Sequence, residues 1–182
     1  MSRAPTAEEA LVQGQAPSPW SDAAQRIEAF EGELPYWLAT TAPDGTPHVR
    51  PILGLWLDGA FHFLISERSR KGRNLTADPR CALAANRIVP PSLDFVVEGV
   101  AFRVDDEAAV RRVIDAFGAR MQWPLELRDG GVFGPNAPTA GAPPYAVFRL
   151  TPSTIFGLPG IAGMEQEERP FSPTRWGFSG DV

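Results

Sequence analysis

The chain has 182 residues, 43% of them hydrophobic and 21% charged, enough for one domain with a substantial core. A formal net charge of -5 argues against a nucleic-acid or membrane-surface partner, since either needs a broad basic face. The 17 glycines and 19 prolines favour turns and short strands, and the single cysteine, Cys81, excludes an internal disulfide.

Residues 1–17 read as a flexible N-terminal arm, mixed in charge and without apolar periodicity; residues 18–182 read as a single domain. A first helix is expected from Ser18-Pro19 or Ser21 to about Glu31, capped by serine, with Ala24, Ile27 and Phe30 on one face. Three strands follow: YWLATT (36–41), TPHVRPILGLWL (46–57) and AFHFLIS (60–66), joined by turns at Pro43-Asp44-Gly45 and Asp58-Gly59. In the second strand, alternation puts Val49, Leu53, Leu55 and Leu57 on one face and His48, Arg50, Ile52 and Trp56 on the other. SRKGRNLTADPR is expected to form a short helix, capped by Ser66 or Ser69 and stopped by Asp78-Pro79. RCALAAN (80–86), with Cys81 as a packed thiol, and LDFVVEGVAFRV (93–104) are the fourth and fifth strands, parted by IVPPS.

The clearest helix runs from Asp105 to Phe117, with Val110, Val113, Ile114 and Phe117 as its apolar face and Gly118 as its stop. The Gly/Pro-rich stretch 121–144 reads as a lid or mobile loop. PYAVFRLTPSTIFGL (144–158) reads as a last strand pair. The tail carries an acidic run, Glu165 to Glu168, and then FSPTRWGF, whose aromatic rings are expected to fold back onto the body. The order of elements is mainly β with flanking helices. No apolar run is long enough to span a bilayer and no signal peptide is recognisable, so cytoplasm is the default.

The two histidines, His48 and His62, have no cysteine at ligand spacing, so no metal site is expected. The nucleophile-elbow, dinucleotide and P-loop glycine motifs are absent. What stands out is ERSRKGR (67–73), where Arg68, Arg70, Lys71 and Arg73 face only Glu67 in an otherwise acidic chain. One reading is a solvated turn. The other is an anion seat: a helix start offers free N–H groups, and Arg with Lys adds a bidentate donor and a point charge suited to phosphate.

The stretch GTPHVRPILGLWLDGAFHFLISERSRKGRNLTADPRCALAAN, a hairpin followed by S-R-K-x-R-N-L and D-P-R, resembles the core of the pyridoxamine 5′-phosphate oxidase-like superfamily, the flavin-binding split barrels. The resemblance extends over about residues 25–178 and takes in the closing FSPTRWGF. It implies a six-stranded split β-barrel that forms a homodimer, with a cofactor in a groove between the subunits. Members bind FMN, the deazaflavin coenzyme F420 or, less often, haem; FMN is expected here, F420 is the alternative and haem ranks last. By the family pattern, Arg50 on the second strand and Arg70 with Lys71 after the third hold the phosphate. Leu64, Ile65 and Ser66 pass along the cofactor, and Trp176 with Arg175 forms an aromatic lid. His48, Pro51, Ser69 and Asn74 complete the expected cofactor-binding set.

Departures from the oxidase pattern narrow the expectation. Leu64-Ile65 stands where the oxidases carry Tyr-Thr, Asp94 replaces a flavin-contacting glutamine, and the C-terminal Arg-x-His motif for the substrate phosphate is absent. Pyridoxamine phosphate is therefore not the expected substrate. The resemblance implies an FMN- or F420-dependent oxidoreductase acting on a small organic molecule, the alternative being a non-catalytic cofactor-binding or storage protein. Such a cofactor carries the redox chemistry itself, which agrees with the lack of a triad, metal set or carboxylate pair.

Overall fold

In chain order the strands and helices are β1 (Ala7–Ala10), α1 (Trp20–Glu28), β2 (Tyr36–Thr41), β3 (Pro47–Ile52), β4 (Gly54–Leu57), β5 (Ala60–Ile65) and α2 (Arg70–Ala77). There follow β6 (Arg80–Arg87), β7 (Leu93–Arg103), α3 (Glu107–Met121), β8 (Glu126–Arg128), β9 (Gly131–Phe133), β10 (Ala146–Leu158) and β11 (Thr174–Gly177). These come from a computed structural model, which describes residues 4–30, 35–87, 92–160 and 171–179. The acidic run Glu165 to Glu168 lies outside the described residues, as do Glu31 and most of IVPPS.

The strands form a six-stranded split β-barrel. β3 pairs with β2, β2 with β6, β6 with β7 and β7 with β10, all antiparallel. The first part of β10 also pairs with β5, and β5 with β4. β4 continues β3 through Leu53, so the circuit closes covalently at that point and the two segments count as one bent strand. The expected single strand over 46–57 is corrected accordingly: its first half serves β2 and its second half serves β5. Among the described residues β5 pairs with β4 but not with β3, and the barrel is split there.

Local chemistry accounts for the corners. Asp58 and Gly59 both take positive φ, 52° and 75°, the two-residue turn that matches strand twist between β4 and β5. Asp129 and Gly130 repeat that turn between β8 and β9. Serine does not cap α1. Pro19 occupies the N-cap, and the Glu8 carboxylate of β1 accepts the Trp20 N–H at 3.0 Å instead. Residues 7–10, within the segment read as an arm, thus form an edge strand on β11.

Two further expectations are corrected. α3 runs through Gly118 to Met121, where Gln122 turns left-handed at φ 53°, and Arg120 anchors the last turn to the Trp56 carbonyl oxygen at 3.1 Å. Residues 144–158 give one 13-residue strand, β10, with a bulge between Pro152 and Thr154. The loop over 121–144 contains the β8–β9 hairpin; its Trp123, Val132, Ala137 and Ala140 belong to the same apolar cluster as α3, with Trp123 against Phe117.

The apolar residues form two layers. The barrel interior holds Tyr36, Leu38, Phe61, Phe63, Ile65, Leu83, Phe95, Val97, Phe148 and Leu150, with α1 and the C-terminal segment closing it. The second layer lies on the outer face of β5 and β10, where Leu64 and Val147 meet Val110, Val113, Ile114 and Phe117 of α3. Among the described residues, no helix is long and apolar enough to cross a membrane.

Candidate functional site

The space between β3, α2 and residues 138–141 contains two of the four cations that stood out in the sequence, Arg70 and Lys71. His48, Arg50 and Pro51 of β3 and Arg70 and Lys71 of α2 line one pocket of about 270 Å³ with Pro138, Thr139 and Gly141. Ser69 caps α2, its hydroxyl accepting the Gly72 N–H at 3.2 Å. Gly72 explains the glycine among the cations: a Cβ there would lie 2.6 Å from the Ser66 carbonyl oxygen. The first turn of α2 therefore packs directly on the backbone of residues 66–67, which fixes where Arg70 and Lys71 emerge.

Lys71 is buried, and its Nζ donates to the Thr139 carbonyl oxygen at 2.6 Å. Burial, and then the charge of Arg50, holds its pKa below the ordinary lysine value. Arg50 donates to the Val49 carbonyl oxygen at 2.7 Å, and no described carboxylate forms an ion pair with Arg50 or Arg70. Asp44, in the β2–β3 turn, feels the charge of Arg70 without pairing with it. His48 is 6% exposed, and burial followed by Arg50, Arg70 and Lys71 lowers its pKa. The pocket thus gathers two exposed arginines and a buried lysine with no carboxylate partner among the described residues, and an anion is the occupant that complements them.

The remaining candidates are placed as follows. Ser66 and Ser69 flank the pocket mouth, since a Cβ on Gly141 would lie 3.4 Å from Ser66 Cβ and 4.0 Å from Ser69 Cβ. Asn74 stands behind His48, its Nδ2 donating to Thr40 Oγ1 at 3.0 Å. Leu64 and Ile65 are fully buried, one in each apolar layer, so their side chains do not reach the pocket. β10 pairs with both residues on one side, while β4 pairs with residues 60–63 on the other. The Ser66 N–H at the end of β5 donates to the Ala140 carbonyl oxygen at 2.9 Å, so the 138–141 segment covers that end.

The structure does not bring Arg175 and Trp176 to this pocket. FSPTRWGF folds back as expected, but β11 lies on the far half of β10, between β10 and β1. Trp176 is fully buried beside Trp20 and Phe171, its Nε1 donating to the Ser18 carbonyl oxygen at 3.2 Å. Arg175 pairs with Glu9 at 3.4 Å. The aromatic burial that marks this segment in the sequence reflects packing. Asp94, at the glutamine position, accepts a hydrogen bond from Asn86 Nδ2.

Sequence reading missed Thr40, Thr139 and Gly141. Thr40 occupies an inward position of β2, marked only by the alternation with Leu38. Thr139 and Gly141 belong to the loop expected as a lid. A second cavity, of about 250 Å³, lies between the start of α3 and the β8–β9 hairpin. Its arginines are engaged: Arg103 pairs with Glu67 and Asp105, Arg111 with Glu107, and Arg128 lies over the Phe133 ring. It is a poorer anion site than the basic pocket.

The comparisons with known proteins agree with this geometry. The sequence profile of the pyridoxamine 5′-phosphate oxidase family matches residues 23–158. A pyridoxine/pyridoxamine 5′-phosphate oxidase of Cupriavidus metallidurans is 32% identical over 151 residues, covering 70% of this chain and 69% of that protein. The corresponding enzyme of Salinibacter ruber is 43% identical over 65 residues, but the match covers 35% of this chain and only 30% of that enzyme's length. In fold, the chain is similar to a heme binding protein from Mycobacterium smegmatis, with a TM-score of 0.57 at 22% identity over 81% of this chain and 57% of that one. It is also similar to an F420 reductase, with a TM-score of 0.51 at 23% identity over 72% of this chain and 94% of that one. Profile, sequence and fold converge: this chain belongs to the pyridoxamine 5′-phosphate oxidase family of split barrels.

Proposed function

We propose that this protein is an oxidoreductase that holds FMN at its basic pocket and moves a hydride to or from a small organic substrate. The observation that carries the reading is the pocket of His48, Arg50, Arg70 and Lys71, whose arginines have no carboxylate partner among the described residues. Its donors suit a phosphate: two forked guanidiniums, one ammonium and one imidazole. FMN would supply the redox chemistry. The chain would grip the phosphate with Arg50, Arg70 and Lys71 and keep water out with residues 138–141.

A volume of about 270 Å³ falls below the usual range for a whole organic ligand. The ring system would therefore extend beyond the pocket, onto a second copy of the chain. Trp37, Val49 and Leu158 are large hydrophobic residues left exposed, and Trp37 and Val49 lie on the paired strands β2 and β3. An apolar surface of that kind supports a homodimer.

Two relatives favour other occupants of the same seat. The F420 reductase supports F420, which also carries a phosphate group. The Mycobacterium smegmatis protein supports a haem-binding, non-catalytic reading. The test is titration of the purified protein with FMN, F420 and haem, followed by fluorescence and absorption. Saturable FMN binding is the expected result. Binding of haem alone would replace the enzyme reading with the storage one.

A further inference from the structure

We propose that His48 is the proton-linked member of the anion seat, neutral while the pocket is empty and taking up one proton when a dianionic group binds beside Arg50, Arg70 and Lys71. The inference rests on the phosphate-seat reading and adds a protonation step to it.

The geometry behind the ring carries the argument. His48 Nδ1 lies 3.4 Å from Thr40 Oγ1, and Thr40 Oγ1 lies 3.4 Å from the His48 carbonyl oxygen. Asn74 Nδ2 donates to the same hydroxyl oxygen at 3.0 Å. His48, Thr40 and Asn74 are all buried. A threonine hydroxyl has one proton to give and two lone pairs to offer, and Asn74 occupies one of the lone pairs. With neutral imidazole, the hydroxyl gives its proton to Nδ1, and the ring proton sits on Nε2. With imidazolium, Nδ1–H donates into the second lone pair, and the hydroxyl proton turns to the His48 carbonyl oxygen. Rotation of one O–H bond serves both states, and neither leaves a buried donor without a partner. His62 offers the contrast. It is equally buried, but its Nδ1 has no hydrogen-bond partner, so a second proton there would be orphaned.

The surrounding charges set the direction. Arg50 faces His48 from its own strand, and Arg70 and Lys71 face it from α2. β2 contributes the neutral Thr40, and Pro138, Thr139 and Gly141 add no side-chain charge. Asp44 is the carboxylate nearest in effect, acting on Arg70 from the β2–β3 turn. Burial and three cations hold the pKa of the ring below the ordinary histidine value. A bound dianion offsets that repulsion and turns the ring into a charge-assisted donor. The proton comes from solvent, and no electron moves.

The test is a histidine NMR titration of the full chain, with and without saturating inorganic sulfate, which stays a dianion from about pH 5 to 8 where histidine titrates. His48→Gln assigns the two imidazole signals. The His48 midpoint should rise by about one unit or more with sulfate while His62 stays put. Calorimetry in buffers of different ionisation heat should show proton uptake that is lost in His48→Gln. Sulfate binding with an unmoved His48 midpoint overturns the proton link and leaves the anion seat standing. No saturable sulfate binding in wild type, or binding undiminished in the Arg70→Ala/Lys71→Ala variant, overturns the seat and the inference together.

Discussion

Lys71 Nζ donates to the Thr139 carbonyl oxygen at 2.6 Å, so one ammonium group is both a wall of the basic pocket and the tie that holds the 138–141 segment beside it. A phosphate would offer that ammonium a charged acceptor in place of a neutral one. Charge-assisted hydrogen bonds contribute about 1.5–3 kcal/mol each. The Arg70→Ala/Lys71→Ala variant should therefore bind FMN about 10²- to 10⁴-fold more weakly, with its circular dichroism unchanged. Unaltered affinity in the double variant would remove both residues from the site.

Trp176 is a packing residue, and its substitution should show that. Its ring is fully buried and touches the Gly157 position so closely that a Cβ there would lie 2.8 Å from it. Trp176→Ala should cost about 3–5 kcal/mol in urea unfolding, and Gly157→Ala should also destabilise. FMN affinity, measured where the variants are folded, should stay within a few-fold of wild type. A Trp176→Ala protein of normal stability that has lost FMN binding would restore this residue to the site.

His62 makes stability depend on pH. Burial and then Arg149 push its pKa down to about 4, against a partial opposing effect of Asp58. The unfolded chain titrates near the ordinary value of about 6.5, so between these values it binds the extra proton. Stability should be flat with respect to His62 above about pH 6.5 and fall as pH drops towards 4, by on the order of 3 kcal/mol. His62→Leu should remove that part of the slope. Parallel stability–pH curves for variant and wild type would assign the acid sensitivity elsewhere.

Trp37 is 48% exposed and Val49 45% exposed on adjacent strands. If that surface is the dimer seam, wild type should sediment as twice 19.8 kDa at micromolar concentration. Trp37→Asp/Val49→Asp should sediment as a monomer and bind FMN more weakly. A monomeric wild type with full FMN affinity would confine the site to one chain.

The strands and the basic cluster at the start of α2 were legible because each rests on local chemistry. Alternation in 36–66, the Asp58-Gly59 turn and the Ser69 cap are properties of a few neighbouring residues. The break at Leu53 was not legible, because it comes from two strands competing for the halves of one segment. Thr40 and Thr139 were hidden for a related reason. They reach His48 and Lys71 only after β2 pairs with β3 and the 138–141 segment docks. Trp176 was misplaced because aromatic residues near a chain end give the same pattern whether they cover a ligand or a core.

The most direct test of the phosphate seat is a comparison of FMN with riboflavin, which has the same ring and ribityl chain but no phosphate. Fluorescence titration at one pH and salt concentration gives both Kd values. FMN should bind at least about 100-fold more tightly, and the Arg70→Ala/Lys71→Ala variant should abolish most of that difference. Equal affinity for FMN and riboflavin in the wild-type protein would contradict the account, because the cations of the pocket would then have no phosphate to hold.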